Sequence, residues 1–211
     1  MFEELDQDLA TRLLGTRTDA EIAAVLARMG ADDAADAIAD LPQGRRQAVL
    51  DLLPSGQRVK VITLMRFSPS SAGGLMGLEF LALPGTLTVG DALAAVARSR
   101  RMPPEALASV HAVGADGRLQ GVVPLVSLVQ ANQAAGLGEI CDTDPVRIAP
   151  ETDVTDVAVL MADYNLVTIP VIDADRRILG LITVDDVLET TLPDDWRQRH
   201  ADIIAPPWAG Q

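Results

Sequence analysis

VHAVGADGRLQGVVPLVSLV at residues 110–129 returns, altered but in the same order, as IPVIDADRRILGLITVDDVL at residues 169–188. In each stretch an apolar run reaches an Asp-containing turn, a second apolar run follows, and a helical pattern begins. The residues ahead of each stretch match as well: TVGDALAAVA at 88–97 answers to DVTDVAVLMA at 153–162. Ahead of these helical stretches lie LEFLAL and PVRIAP, each read as a short strand. The chain therefore carries a strand–helix–strand–strand–helix unit twice, at an offset of about 60 residues. One such unit buries only one face of its sheet, so the two copies are expected to pack together with pseudo-twofold symmetry.

Residues 1–75 have a different texture. They are rich in Ala, Leu, Asp and Arg and contain no convincing strand. Thr18 followed by Glu21 forms a capping-box signature, and Ile22, Val25, Leu26 and Met29 then fall on one helix face. ADDAADAIADLP, GRRQAVLDLLP and SGQRVKVITLMRFSP follow, three helical segments that stop at Pro42, Pro54 and Pro69. Together they read as a weak helical repeat of undetermined hand. SSAGGLMG, with Gly73, Gly74 and Gly77, reads as a connection to the repeats, and the residues from Asp194 as a terminal arm with Trp196 and Trp208.

Composition narrows the function classes. Hydrophobic residues make up 48% of the 211, enough for true cores, but aromatic residues only 3%, leaving little surface for stacking on bases. A formal net charge of −13 argues against nucleic acid and against an anionic membrane surface. The same carboxylates suit divalent cations, although solubility alone also explains an acidic surface. One cysteine, Cys141, permits no intrachain disulfide and suits a reducing compartment. The acidic start gives no sign of a signal peptide, and no apolar run approaches the roughly 20 residues of a membrane span. Chemistry finds no foothold: His111 and His200 have no partner at motif spacing, His111 and Cys141 read as packed residues, and no phosphate loop, serine elbow or metalloprotease motif occurs. The chain is read as a cytoplasmic protein that is not an enzyme and does not itself insert into a membrane.

The duplicated unit resembles the cystathionine-β-synthase-type (CBS) pair, through Ile169-Pro170-Val171, the turn at Asp173-Ala-Asp175 and Gly180-Leu-Ile-Thr183-Val-Asp-Asp186. The resemblance implies an adenine-nucleotide (ATP or AMP) site in which Thr183 meets phosphate or ribose and Asp186 grips the ribose hydroxyls, with Tyr164 and Pro170 beside them. Arg147 and Arg177 are candidates for the phosphates. The first copy departs, with Pro124 for Thr and Ser127 for Asp, so at most one site is expected. ADDAADAIADLP, RRQAVLDLLP and SSAGGLM leading into such a pair are similar to the cytosolic region of MgtE-type magnesium transporters. That resemblance implies an α+β chain: an N-terminal α-helical superhelical domain (1–75), tandem βαββα CBS repeats (76–135 and 136–193) and a C-terminal arm (194–211).

In that family the helical domain and the CBS pair close on each other when Mg²⁺ fills acidic sites between them, shutting a linked pore. Carried over, the matching acids are Asp32 and Asp36 with Asp186 and Glu189. Independently of the resemblance, Asp32 and Asp36 stand at i, i+4 and Asp186 and Glu189 at i, i+3, so each pair shares one helix face. The plainer alternatives are acids favoured at a helix start for Asp32 and Asp36, and Asp186 as the cap of its own helix. The family often has an acid where Asn165 follows Tyr164, so one metal site is expected to be weakened. Partners implied are a second copy, through the CBS pair, and a membrane transporter domain; a stand-alone relative, a nucleotide sensor and a purely structural dimerisation module stay open.

Overall fold

The computed structural model describes residues 17–193; the arm, with Trp196, Trp208 and His200, lies outside them. Four helices come first: α1 (Asp19–Leu26), α2 (Ala31–Asp40), α3 (Gln43–Leu52) and α4 (Ser55–Leu64). α1 starts at the expected capping box: Thr18 N–H donates to Glu21 Oε2 at 2.9 Å and Glu21 N–H to Thr18 Oγ1 at 3.3 Å. Pro42 and Pro54 do more than end helices. Each sits at the N-cap of the next one, where a missing N–H costs nothing, and its carbonyl accepts from Arg45 or Arg58. α1 packs on α3 and α2 on α4, burying Ile22, Leu26, Ile38, Val49, Val61 and Leu64.

The repeats have the expected order. In the first, β1 (Ala82–Pro84) pairs parallel with β2 (Ser109–Val113), which pairs antiparallel with β3 (Leu119–Pro124). α6 (Val89–Arg98), capped by Thr88, and α7 (Leu125–Gln130) flank them. The second has β4 (Thr168–Ile172) antiparallel to β5 (Ile178–Thr183), with α9 (Val154–Tyr164) and α10 (Val184–Thr191). Two short α-helices, α5 (Ala72–Leu75) and α8 (Leu137–Ile140), and a 3-10 turn at Glu105–Leu107 complete the described helical elements. The strands expected from LEFLAL and PVRIAP are shorter than read: three residues in the first, and one parallel bridge, Ile148 to Val171, in the second. The hairpin tips turn at Gly117 (φ +79°) and at Arg176 (φ +65°), a side chain in a region that favours glycine.

The pseudo-twofold relation is visible in contacts between the copies. Ser109 Oγ and Thr168 Oγ1 share a hydrogen bond of 3.0 Å, and the two tips meet where Leu119 N–H donates to Arg176 O at 2.8 Å. The segments ahead of the repeats are exchanged. Gly77 and Leu181 trade backbone hydrogen bonds of 2.9 Å, so the stretch before the first repeat joins β5 of the second. Asp142 and Val122 do the same in the opposite sense.

SSAGGLMG is accordingly more than a connection. Ala72 N–H donates to Thr152 O and Gly73 N–H to Pro150 O, and residues 72–75 are buried on the second repeat. One apolar core therefore runs from Ile22 and Ile38 through Ala72 and Met76 to Val157 and Ile182, while the first repeat keeps its own around Val110, Val123 and Leu128.

A glycine permits the exchange. A Cβ on Gly180 would lie 2.7 Å from Met76 Cγ and 2.8 Å from Gly77 O. Gly180→Ala is expected to lose about 2 kcal/mol by overpacking at this backbone crossing. Thermal or urea unfolding checks it, with Gly56→Ala, where the Cβ meets nothing within 4 Å, as the control.

Candidate functional site

The exchanged segment lays α2 of the helical domain against the end of β5 and the start of α10. Asp32 Oδ2 lies 3.6 Å from the position a Cβ would take on Gly77, the residue bonded to Leu181. The charge of Asp32 acts on Asp186, and that of Glu189 on Asp36. Asp32 thus lies within electrostatic range of Asp186, and Asp36 of Glu189. The four sequence-predicted metal-site acids are coupled in two pairs across this junction.

The electrostatics follow from that placement. The Asp36 carboxyl is pushed up to about 6, first by burial and then by the charges of Asp32, Asp40 and Glu189. Asp36 as a residue stays exposed, so water screens much of the repulsion. The Asp186 carboxyl also rises to about 6, again first by burial, against the opposing pull of Thr183 and with added repulsion from Asp32 and Asp185. Among the described residues no three His, Cys, Asp or Glu side chains converge as a ready metal shell. The arrangement is two facing acidic surfaces. Such hard oxygen donors suit a cation that keeps several of its own waters, as Mg²⁺ does.

Asp186 is not the cap of its helix. α10 begins at Val184 with Thr183 at the N-cap, and Asp186 answers from the third position. Thr183 N–H and Oγ1 both donate to Asp186 Oδ2, at 3.0 and 2.5 Å. The two residues expected to grip a nucleotide therefore hold each other. Thr183 stands opposite Thr168 in the ladder and Pro170 is buried mid-strand opposite Leu181, while Tyr164 is exposed at the end of α9. Arg147 pairs with Asp144 at 2.9 Å and Arg177 with Asp175 at 3.7 Å, so both phosphate candidates have protein partners.

Asn165 closes α9 in the left-handed conformation (φ +52°), a position that Asn tolerates better than most side chains. His111 is fully buried in β2, its ring edge-on to Phe80. Cys141 is a free, half-buried thiol whose Sγ donates to Gly138 O. Asp40, absent from the sequence-based set, adds its charge to the seam; its i+4 spacing from Asp36 was the available signal.

Fold and site together define a CBS pair carrying a helical domain, with acids lining the junction. A family model described as the MgtE intracellular N domain matches residues 1–70, and one described as the CBS domain matches residues 137–192. The crystal structure of the cytosolic domain of the Mg²⁺ channel MgtE in complex with ATP superposes with a TM-score of 0.83 at 32% identity, over 90% of this chain and 77% of that one. The soluble part of a magnesium transporter gives 0.79 at 27% identity, over 84% and 69%. The chain belongs to the MgtE family and corresponds to its cytosolic region.

The magnesium transporter MgtE of Thermus thermophilus is 36% identical over 163 residues, 75% of this chain and 36% of that protein. The Bacillus subtilis transporter is 21% identical over 192 residues, 91% and 42%. The chain thus spans well under half the length of these relatives, and among its described residues no helix is long and apolar enough to cross a membrane.

Proposed function

We propose that the chain is the Mg²⁺-responsive regulatory part of a magnesium transport system, working at the cytosolic face of a membrane transporter domain without catalysing a reaction. The observation that carries this is the junction itself, where the charge of Asp32 on α2 acts on Asp186 on α10 and that of Glu189 on α10 acts on Asp36 on α2. Without a cation, like charges oppose the contact; with Mg²⁺, hydrated or directly bound carboxylates bridge the helical domain to the second repeat. The metal shifts the closed–open balance only by its preference for the closed form. We assign 1–75, 76–135, 136–193 and 194–211 as the working units, with residues 71–77 the pivot shared by the helical domain and the second repeat. A second copy is the expected partner of the repeats, because both leave apolar side chains exposed on their helices: Val126 and Val129 on α7, Val159 and Tyr164 on α9, and Leu188 on α10.

Limited proteolysis of the full chain in EDTA and across a millimolar Mg²⁺ titration tests the reading. Cleavage between α4 and α5 should slow as Mg²⁺ rises. Unchanged cleavage at every concentration would refute a metal-closed seam.

A second reading, adenine-nucleotide sensing, draws support from the ATP complex of the similar cytosolic domain. It places the nucleotide at the corner where β5 meets α10. Thr183→Ala should then abolish a response to ATP and leave the response to Mg²⁺ in place. The substitution also removes the helix cap, an expected loss of about 1 kcal/mol. ATP binding by calorimetry, beside a thermal melt, separates the two effects.

A further inference from the structure

One short stretch touches all three parts of the fold. Gly77 trades backbone hydrogen bonds with Leu181 of the second repeat, and Leu78 packs on the core that this repeat shares with the helical domain. Glu79 reaches α4: Lys60 Nζ donates to Glu79 Oε1 at 3.2 Å. Phe80 lies edge-on to His111 of the first repeat, with ring centroids 6.0 Å apart, and the Leu81 carbonyl accepts from His111 N–H at 2.9 Å. Residues 77–81 are thus a strap held by both repeats, and Glu79 is a point at which the helical domain grips it.

That grip has the opposite sign to the acids of the junction. Asp32 acts on Asp186, and Glu189 on Asp36, as like charges. Lys60 and Glu79 attract. Lys60 is also the only lysine of the chain, in which acids outnumber bases 30 to 17. The pair is partly exposed, at 40% and 48% of the two side chains, so water screens it. A pair of this kind shifts a two-state balance by about fivefold at most.

We infer that the Lys60–Glu79 ion pair is a metal-independent latch, which holds the helical domain to the strap and biases the junction toward closure before any cation arrives. A cation then has to supply only the remainder of the closing free energy. The latch works through attraction between two side chains, so reversing either charge opens it and exchanging the two restores it.

Chymotryptic cleavage of the full chain at Phe67, between α4 and α5, reads the open population when opening is fast. In EDTA, Lys60→Glu and Glu79→Lys should each speed this cleavage about threefold, and the double exchange should return it to the parent rate. One substitution makes the chain more acidic and the other less, so a long-range charge effect would move them in opposite directions. The latch moves them the same way. Acetylation of the native chain with N-hydroxysuccinimidyl acetate tests the joint without a substitution, because Lys60 is the only side-chain amine and loses its charge. The acetylated parent should open as the reversals do. Lys60→Arg, treated alike, should stay closed. In a Mg²⁺ titration the single reversals should raise the midpoint of protection by the same factor; this arm rests on the metal-closed reading, whereas the EDTA arm stands without it. A parent indifferent to Mg²⁺ would sink that reading, and the order of rates in EDTA would still decide the latch. Single reversals that leave cleavage unchanged or shift it in opposite senses, or a double exchange that fails to restore it, would overturn the inference.

Discussion

Asp32→Asn with Asp36→Asn is expected to abolish the compaction of the chain by Mg²⁺ and, in EDTA, to leave it more closed than the parent. The two effects have one origin. The raised proton affinity of Asp36 and Asp186 means that their charged forms are disfavoured where they sit. For an acid whose folded pKa is near 6 and unfolded value near 3.8, the native state holds more protons between those values. Stability from these groups is therefore fully present below about pH 3.8 and is lost as the pH rises from there through about 6. Amide variants mimic the protonated state at neutral pH, so they relieve the repulsion and delete the metal ligands together. Scattering in EDTA and in millimolar Mg²⁺ reads both consequences. A variant that opens in EDTA would mean the acids hold the seam by other bonds, and one that still compacts with Mg²⁺ would place the metal elsewhere.

A second large effect is expected at His111, remote from the seam. Burial lowers its pKa from 6.5 to about 4, with the Leu81 carbonyl opposing; Nδ1 stands 3.3 Å from that carbonyl and Nε2 is buried without a hydrogen-bond partner among the described residues. The unfolded chain takes up a proton below pH 6.5 that the folded chain refuses until about 4. The first repeat should therefore lose about 3 kcal/mol as the pH falls through that window, a loss opposite in sign to the gain from Asp36 and Asp186. His111→Leu isolates it: urea unfolding from pH 7 to 4 should show the variant losing less stability than the parent. At pH 7 the two should differ little, since the leucine also removes an unsatisfied buried nitrogen. Parallel pH profiles would mean that His111 titrates as an exposed histidine.

The duplication was legible because each copy spends its residues on local signals: alternating apolar runs, an Asp turn, a Thr cap. The spacing of the four acids reads as two helix-face pairs, and it is the resemblance to the MgtE cytosolic region, not the spacing, that sets the two faces together. What the sequence hid is long-range. Nothing local in SSAGGLMG says that Gly77 will bond Leu181 across the pair, and Gly180 reveals its role only once Met76 lies over it. The shortened first strands escaped for the same reason, because LEFLAL and PVRIAP look alike as apolar runs and differ in which partner edge reaches them. The plainer alternative for Asp186, a cap of its own helix, falls to Thr183, three residues earlier. A reciprocal capping box uses both side chains at once.

Small-angle scattering of the unmodified chain, in EDTA and then through a millimolar Mg²⁺ titration without nucleotide, tests the central claim most directly. The account predicts a radius of gyration that falls saturably with Mg²⁺, as the helical domain closes on the second repeat. A radius unchanged by Mg²⁺ that contracts on adding ATP would contradict it, and would make this chain a nucleotide-sensing CBS protein.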